Sequence, residues 1–158
     1  MESTDIIIIG AGLTGLCLAQ TLTQENKDFL VLEGRERIGG RIKTIETNDG
    51  TAVEMGATWF FPNFQNLYSL MNNFDIELTE QFMRGHSFYQ SNSHTPPRKV
   101  YSQDGDGMYR IKGGTNEIVN TLYNNIEERK VLLSHAVTEI RQVEDGLQVF
   151  SKGKVFKC

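Results

Sequence analysis

The sequence has few of the residues that build disulfide frameworks and metal centres. Its 158 residues include two cysteines, Cys17 and Cys158, and three histidines, which are scattered along the chain. Two distant cysteines provide neither a disulfide framework nor the ligand spacing of a zinc site. We therefore expect no bound metal, and we expect Cys17, on the apolar side of a predicted helix, to be a small core residue.

Long apolar runs and basic blocks are also absent. No apolar run approaches the roughly 20 residues that a membrane span needs. The net charge is −4, and basic residues are not interleaved with aromatic ones, so we expect neither a membrane span nor nucleic-acid binding. The first predicted strand begins at Asp5, which leaves no room for a signal or transit peptide before it. A cytoplasmic location is the expectation that follows.

The remaining composition is that of a globular protein with a hydrophobic core. Hydrophobic residues make up 39% of the chain and charged residues 23%, which argues against disorder. The length is sufficient for one domain with a core of useful size.

The first 33 residues have the pattern of a βαβ unit. Asp5 to Ile9 is a β-branched run typical of a fully buried parallel strand. A glycine-rich turn and a helical pattern follow it, and a second apolar run, Phe29 to Leu32, ends at Glu33. We therefore predict an α/β fold with a parallel sheet.

The glycine-rich turn has the spacing of a dinucleotide-binding site. Gly10 permits the tight turn, Gly12 lets a diphosphate approach the backbone, and Gly15 lets the helix pack closely on the strand. The positive end of the helix then faces the diphosphate. Glu33 lies 18 positions after Gly15, close to the roughly 20 expected of an acid that binds ribose hydroxyls. An acid at this position also repels a 2′-phosphate, which disfavours NADP. A turn without a ligand remains the alternative, and the choice between FAD and NAD stays open at this point.

A second glycine motif, the pair Gly39-Gly40, lies shortly after Glu33 in the segment Arg35-Glu36-Arg37-Ile38-Gly39-Gly40-Arg41. Together with the first motif and Glu33, this segment resembles the flavin amine oxidase family, which includes the monoamine and polyamine oxidases, protoporphyrinogen oxidase and the phytoene desaturases. The resemblance implies FAD as the cofactor and a loop that wraps over its diphosphate. Small glycines would let the loop approach the phosphates, and Arg41 would offer a forked cationic donor; the alternative for Arg41 is a solvated loop arginine.

The resemblance continues at Glu54-Met55-Gly56-Ala57-Thr58-Trp59. In the family, the backbone of a similar segment passes close to the flavin ring. The alternative is that Trp59 and the following phenylalanines are core aromatics at a turn. Near the end of the chain, the resemblance implies that the backbone of Val137 contacts the adenine, whereas a purely structural role for Val137 as a core residue is the alternative.

The cofactor-binding residues that this comparison predicts are Gly10, Ala11, Gly12, Leu13, Thr14, Gly15, Glu33, Gly34, Arg35, Gly39, Gly40, Arg41, Gly56, Ala57, Thr58, Trp59 and Val137. No catalytic residue is predicted.

The resemblance also predicts the organisation of the chain. Residues 1–78 would be the first part of a Rossmann-like FAD-binding domain, residues 79–111 the start of a substrate domain, and residues 112–158 the second part of the FAD domain. Apolar runs separated by glycine turns predict a β-meander after residue 134. Thr115 is predicted to cap a helix that extends to about Glu128, and Asn63 to cap a helix that ends near Phe74.

Proteins of this family are considerably longer than this chain. We therefore expect the last strand of the FAD domain and most of the substrate domain to be missing, and the sheet to have an open edge. A second copy or the missing part would cover that edge. The chain alone would be catalytically incomplete.

The leading functional hypothesis is the FAD-binding part of an amine oxidase-like oxidoreductase, in which substrate gives a hydride equivalent to flavin N5. Porphyrinogens and carotenoid precursors are substrates of relatives with the same N-terminal motifs, so the substrate stays open. The alternatives are a non-catalytic module that binds FAD or a partner and, disfavoured by the second glycine pair, an NAD-dependent enzyme.

Overall fold

The computed structural model describes residues 2–103 and 107–158, which fall into two compact units. The first unit comprises Met1–Ala57 and Gly113–Cys158, and the second comprises Thr58–Lys112. The sequence instead predicts divisions after residues 78 and 111. The second unit thus begins at Thr58 rather than after residue 78. The strand Leu78–Glu80 pairs with the strand Tyr109–Ile111, and the helix that precedes residue 78 belongs to the same unit.

In chain order, the elements up to residue 80 are β1 (Glu2–Ser3), β2 (Ile6–Ile9), α1 (Leu13–Gln24), β3 (Phe29–Leu32), β4 (Thr44–Glu46), β5 (Ala52–Glu54), α2 (Gln65–Asn73) and β6 (Leu78–Glu80). The later elements are β7 (Gly85–Tyr89), β8 (Arg98–Ser102), β9 (Tyr109–Ile111), α3 (Asn116–Asn124), a 3-10 helix (Glu128–Lys130), β10 (Val131–Leu132), β11 (Val137–Val143), β12 (Gly146–Ser151) and β13 (Lys154–Lys157).

A parallel sheet in the order β10-β3-β2 carries the predicted βαβ unit. All four residues of β3 are buried, as the apolar run predicts. The prediction that the first strand is fully buried is wrong, because Ile8 is buried but Ile9 is 52% exposed. Within the described residues β2 pairs with β3 alone, so its other edge is open. That a second copy or the missing part of the protein covers this edge stays a prediction.

Helix α1 packs on this sheet through a stripe of small and apolar side chains. Leu16, Ala19 and Leu22 are buried, and the helix also lies against α3. Cys17 is half-buried rather than part of the core, and burial raises the pKa of its thiol. Among the described residues, no helix is long and apolar enough to cross a bilayer.

The predicted β-meander is confirmed by β11, β12 and β13, which pair antiparallel in sequence order. β1 adds to the sheet by pairing parallel with β13. Leu30 and Leu32 of β3 join Val149 and Phe156 of the meander in one buried cluster. The meander is thus joined to the parallel sheet through a shared core, and the α/β class with a parallel sheet, helices and a meander is confirmed.

The hairpin β4–β5 is tied to the start of α3 by polar contacts. The carboxylate of Glu54 accepts hydrogen bonds from the Thr115 N–H at 2.6 Å and from the Thr44 hydroxyl at 2.9 Å. The Thr44 hydroxyl accepts from the Asn116 N–H at 3.0 Å. The predicted capping by the Thr115 side chain is wrong, because side chains of the hairpin bind the amides at this helix end.

The second unit contains α2 and two antiparallel strand pairs, β6–β9 and β7–β8. Phe60 is buried and packs against the rings of Tyr68 and Tyr109, with centroids 5.7 and 6.2 Å away. Helix α2 begins at Gln65 with Phe64 at its N-cap position, so the predicted cap at Asn63 is wrong.

Candidate cofactor site

A groove of about 970 Å³ lies in the first unit, where β2 ends and α1 begins. Its lining comes from the glycine turn, the first turn of α1, the segment after β3 and the end of the hairpin β4–β5. The lining residues are Ile9, Gly10, Gly12, Leu13, Thr14, Gly15, Arg35, Arg37, Gly39, Gly40, Arg41, Ile42, Lys43, Met55, Gly56 and Ala57. The fold therefore brings together in one groove most of the residues predicted to bind a cofactor.

Gly12 faces the groove in a position where the rest of the chain would accept a side chain. Its backbone is extended, with φ −77° and ψ 178°, which any residue adopts. A Cβ placed on Gly12 would meet no described atom nearer than the Gly40 Cα, at 3.9 Å. Packing within the chain therefore does not require glycine here, and the missing side chain leaves open space at the N-terminus of α1.

Gly15 and Gly56 are required by contacts within the protein. A Cβ on Gly15 would lie 2.0 Å from the Gly10 carbonyl oxygen, and one on Gly56 would lie 1.9 Å from the Arg41 carbonyl oxygen. Gly15 thus permits close packing of α1 on the turn that leaves β2. Gly56 permits a close approach to the Arg41 backbone, and the predicted position of Gly56 and Ala57 near a flavin stays a prediction.

Glu33 joins the end of β3 to the glycine turn. The side chain is 6% exposed, and its two oxygens accept hydrogen bonds from the Ala11 N–H at 2.7 Å and the Arg35 N–H at 2.8 Å. A carboxylate has about four acceptor positions, so each oxygen retains capacity for another donor. Glu33 can therefore hold the turn and still accept hydroxyl groups of a ligand.

Arg37 organises the loop that carries the second glycine pair, a role that sequence reasoning missed. Its guanidinium donates to the carbonyl oxygens of Ile38, Gly40 and Ile42. The loop also binds the glycine turn, since the Gly39 N–H donates to the Ala11 carbonyl oxygen at 2.8 Å. The only sequence signal for this role is the position of Arg37 directly before a glycine-rich segment.

The groove has a cationic lining. Arg35, Arg41 and Lys43 are exposed and line it together with Arg37. None of the lining residues identified in the described part of the chain is acidic. No side chain caps the first turn of α1, so amide donors and the positive end of the helix dipole add to this field. Lys43 was not predicted from the sequence.

Val137 and Gly34 lie beside the end of β3 and outside the groove lining. The His135 N–H donates to the Glu33 carbonyl oxygen and the Ser134 N–H to that of Arg35, both at 2.7 Å. A Cβ on Gly34 would contact the Ala136 Cβ at 3.4 Å. The Val137 side chain packs on the core cluster shared by β3 and the meander, so its predicted backbone contact with adenine stays a prediction.

Thr58 and Trp59 belong to the second unit. Trp59 is 58% exposed, and its indole N–H donates to the Gln81 Oε1 at 3.0 Å. The alternative that Trp59 is a core aromatic is wrong, because more than half of its surface is accessible. The predicted position of Thr58 and Trp59 beside a flavin stays a prediction.

Comparison with known proteins identifies the relatives of this fold. The family model described as flavin containing amine oxidoreductase matches residues 13–95 and 82–158. Putrescine oxidase of Kocuria rosea is 35% identical over 85 residues, which are 54% of this chain and 18% of that protein. A probable polyamine oxidase of Arabidopsis thaliana is 28% identical over 133 residues, covering 77% of this chain and 27% of that protein.

A solved structure of putrescine oxidase bound to putrescine superposes with a TM-score of 0.82 at 16% identity, covering 98% of this chain and 56% of that one. At this identity the superposition supports the fold alone. The chain spans less than a third of the length of the two curated relatives. Because the family model matches well over half of the chain, both the resemblance and the FAD cofactor predicted from the sequence are confirmed, and the chain belongs to the family of flavin-containing amine oxidoreductases.

Proposed function

We propose that this chain is the FAD-binding part of a flavin-dependent oxidoreductase that oxidises an amine. The proposal rests on the groove between the glycine turn and the Gly39–Arg41 segment. Putrescine oxidase and polyamine oxidase, by their names, act on amines, and we extend that substrate class to the complete protein.

The open space at Gly12 is the observation that carries the cofactor assignment. Neither the backbone conformation nor packing within the chain requires glycine at this position. A bound diphosphate does require it, because a side chain would occupy the space next to the N-terminal amides of α1. The absence of a side chain at Gly12 is thus explained by a ligand.

The charges in the groove fit an anionic diphosphate. Arg41 and Arg35 are exposed and can form forked hydrogen bonds to phosphate oxygens, and Lys43 adds a third positive charge. We propose that Arg41 binds the diphosphate and that the first turn of α1 donates backbone N–H groups to it.

Glu33 is the proposed partner of the adenosine ribose. Its carboxylate is held by the Ala11 and Arg35 amides, which keep it in one orientation without using all of its acceptor capacity. A buried, oriented carboxylate binds a pair of hydroxyl groups and repels a 2′-phosphate. This favours FAD over an NADP-type ligand.

The residues of this chain would bind and orient the cofactor. When bound, FAD supplies the redox chemistry by accepting a hydride equivalent from the substrate at flavin N5. We assign no catalytic residue. The cytoplasmic location predicted from the sequence also stays a prediction.

The visible absorption spectrum of the purified protein tests the proposal. We expect the two-band spectrum of bound flavin, either directly or after incubation with FAD and desalting. Gly12→Val serves as the control and is expected to remain colourless under the same treatment. A colourless wild-type protein that also shows no saturable FAD binding in a fluorescence titration would contradict the proposal.

A further inference from the structure

The segment from Ile38 to Ile42 is folded around a single side chain. The Arg37 Nη1 donates to the Ile38 and Ile42 carbonyl oxygens at 2.9 and 3.1 Å, and its Nη2 donates to the Gly40 carbonyl oxygen at 2.9 Å. The guanidinium is half-buried. Both Arg37 and Arg41 line the groove, but Arg37 donates to carbonyl oxygens of the loop whereas Arg41 is exposed.

The loop contains two glycines, so ordering it has a large entropic cost that an anchor offsets. Gly39 and Gly40 both have positive φ, at +96° and +60°, and glycine loses more conformational freedom on ordering than any other residue. A planar guanidinium presents its donors in a rigid fork and can hold several carbonyls in one arrangement. A lysine ammonium has the charge but not the fork.

The position of this loop sets the shape of the groove. The Gly39 N–H donates to the Ala11 carbonyl oxygen, and the Gly40 Cα lies 3.9 Å from the position that a Cβ on Gly12 would occupy. A shift of the loop would therefore change the gap between Gly12 and Gly40 and would move Arg41. Arg37 also compensates the partial negative charge of three carbonyl oxygens of this loop, which favours an anion at the groove that the loop lines.

We propose that Arg37 is a positioning residue for diphosphate binding. It holds the Ile38–Ile42 loop in the binding conformation before the ligand arrives, while Arg41 makes the contact to the phosphates. Pre-ordering a loop lowers the entropic cost of binding. This inference rests on the proposed function, because it assumes that the groove binds a diphosphate.

Paired substitutions distinguish positioning from direct charge contact. Arg37→Lys and Arg37→Gln are each expected to weaken binding of ADP and of FAD by about tenfold or more, because neither restores the fork. Arg41→Lys, which retains the charge at a contact position, is expected to bind ADP markedly better than Arg41→Gln. Titration calorimetry with ADP and fluorescence titration with FAD measure these differences.

Adenosine provides an internal control, because it lacks phosphates. Its binding, followed by ligand-observed NMR, is expected to be the same for wild type and Arg37→Lys. Amide hydrogen exchange without ligand is expected to be faster at residues 38–42 of Arg37→Lys and unchanged in β3 and the meander.

These measurements distinguish a failure of the positioning role of Arg37 from a failure of the proposed function. If Arg37→Lys binds ADP as wild type does, or if it loses adenosine binding together with ADP binding, the positioning role is wrong. If wild type binds neither ADP nor FAD, the proposed function is wrong, and the inference that rests on it is withdrawn.

Discussion

The carboxylate of Glu33 accepts a hydrogen bond from the Ala11 N–H at 2.7 Å and so connects the end of β3 to the glycine turn after β2. The other carboxylate oxygen accepts from the Arg35 N–H at 2.8 Å. The same side chain thus shapes the protein and is the proposed ribose ligand. Its two roles lead to a combined prediction for stability and binding.

Glu33→Gln is expected to weaken FAD binding by about 1.5–3 kcal/mol, because hydrogen bonds to a charged acceptor are lost. It is also expected to lower the free energy of unfolding by about 1–3 kcal/mol, because the amide NH₂ cannot accept from one of the two N–H groups, of which that of Ala11 is buried. Urea unfolding without ligand and FAD titration measure the two effects. Glu36→Gln, at an exposed position in the same segment, is the control and should change neither; unchanged stability of Glu33→Gln would contradict the structural role.

Gly12→Val is expected to abolish FAD binding and to lower the free energy of unfolding by no more than about 0.5–2 kcal/mol, because the extended backbone of Gly12 accepts a side chain but valine is a poorer N-cap residue than glycine. Gly15→Ala is the matched comparison. Its methyl group would lie 2.0 Å from the Gly10 carbonyl oxygen, so a loss of about 1–3 kcal/mol of stability is expected from overpacking. Thermal unfolding and FAD titration are the measurements, and normal FAD binding by Gly12→Val would overturn the cofactor assignment.

Val137→Ala is expected to lower the free energy of unfolding by about 1 kcal/mol, because the side chain packs on the cluster of Leu30, Leu32, Val149 and Phe156. FAD affinity should stay nearly the same, because the predicted contact is through the backbone, which the substitution retains. A large loss of FAD affinity without a loss of stability would show that the side chain itself contacts the ligand.

The ion pair between Glu77 and Lys112 in the second unit predicts a pH dependence. The hydrogen bond and then the charge of Lys112 lower the pKa of the Glu77 carboxyl, and the same contacts raise the pKa of Lys112. The pair therefore stabilises the fold above the unfolded pKa of glutamate, about 4.3, and below that of lysine, about 10.4. This stabilisation is lost as the pH falls through the folded pKa of Glu77 or rises through that of Lys112.

Unfolding of wild type and Glu77→Gln across the pH range checks this prediction. The stability difference is expected to be present between about pH 5 and 10 and to disappear in acid. It should be small, because both side chains are about two-thirds exposed. Glu80→Gln, at an exposed position on β6, is the control. If the stability difference between wild type and Glu77→Gln were the same at low pH as at neutral pH, the role of the Glu77–Lys112 ion pair would be contradicted.

Local patterns predicted the parts of this fold that depend on short stretches of chain. The buried run of β3, the stripe of α1 and the turns of the meander follow from residue spacing and glycine positions. Helix ends were predicted less well. At α3, the amides of Thr115 and Asn116 are bound by Glu54 and Thr44, which are distant in sequence, so no local pattern could reveal them.

The sequence by itself determined the family, the flavin cofactor and the α/β class, because the glycine spacings, Glu33 and the apolar runs are local constraints of backbone geometry and burial. Only the tertiary structure distinguished three of these glycines: Gly15 and Gly56 are required by contacts within the chain, whereas a Cβ on Gly12 would meet no close contact. It also showed that, of the two groove-lining arginines, Arg37 donates to carbonyl oxygens of the loop and Arg41 is exposed. Two arginines in one motif look alike in sequence, and which of them binds carbonyl groups depends on how the loop folds back on itself.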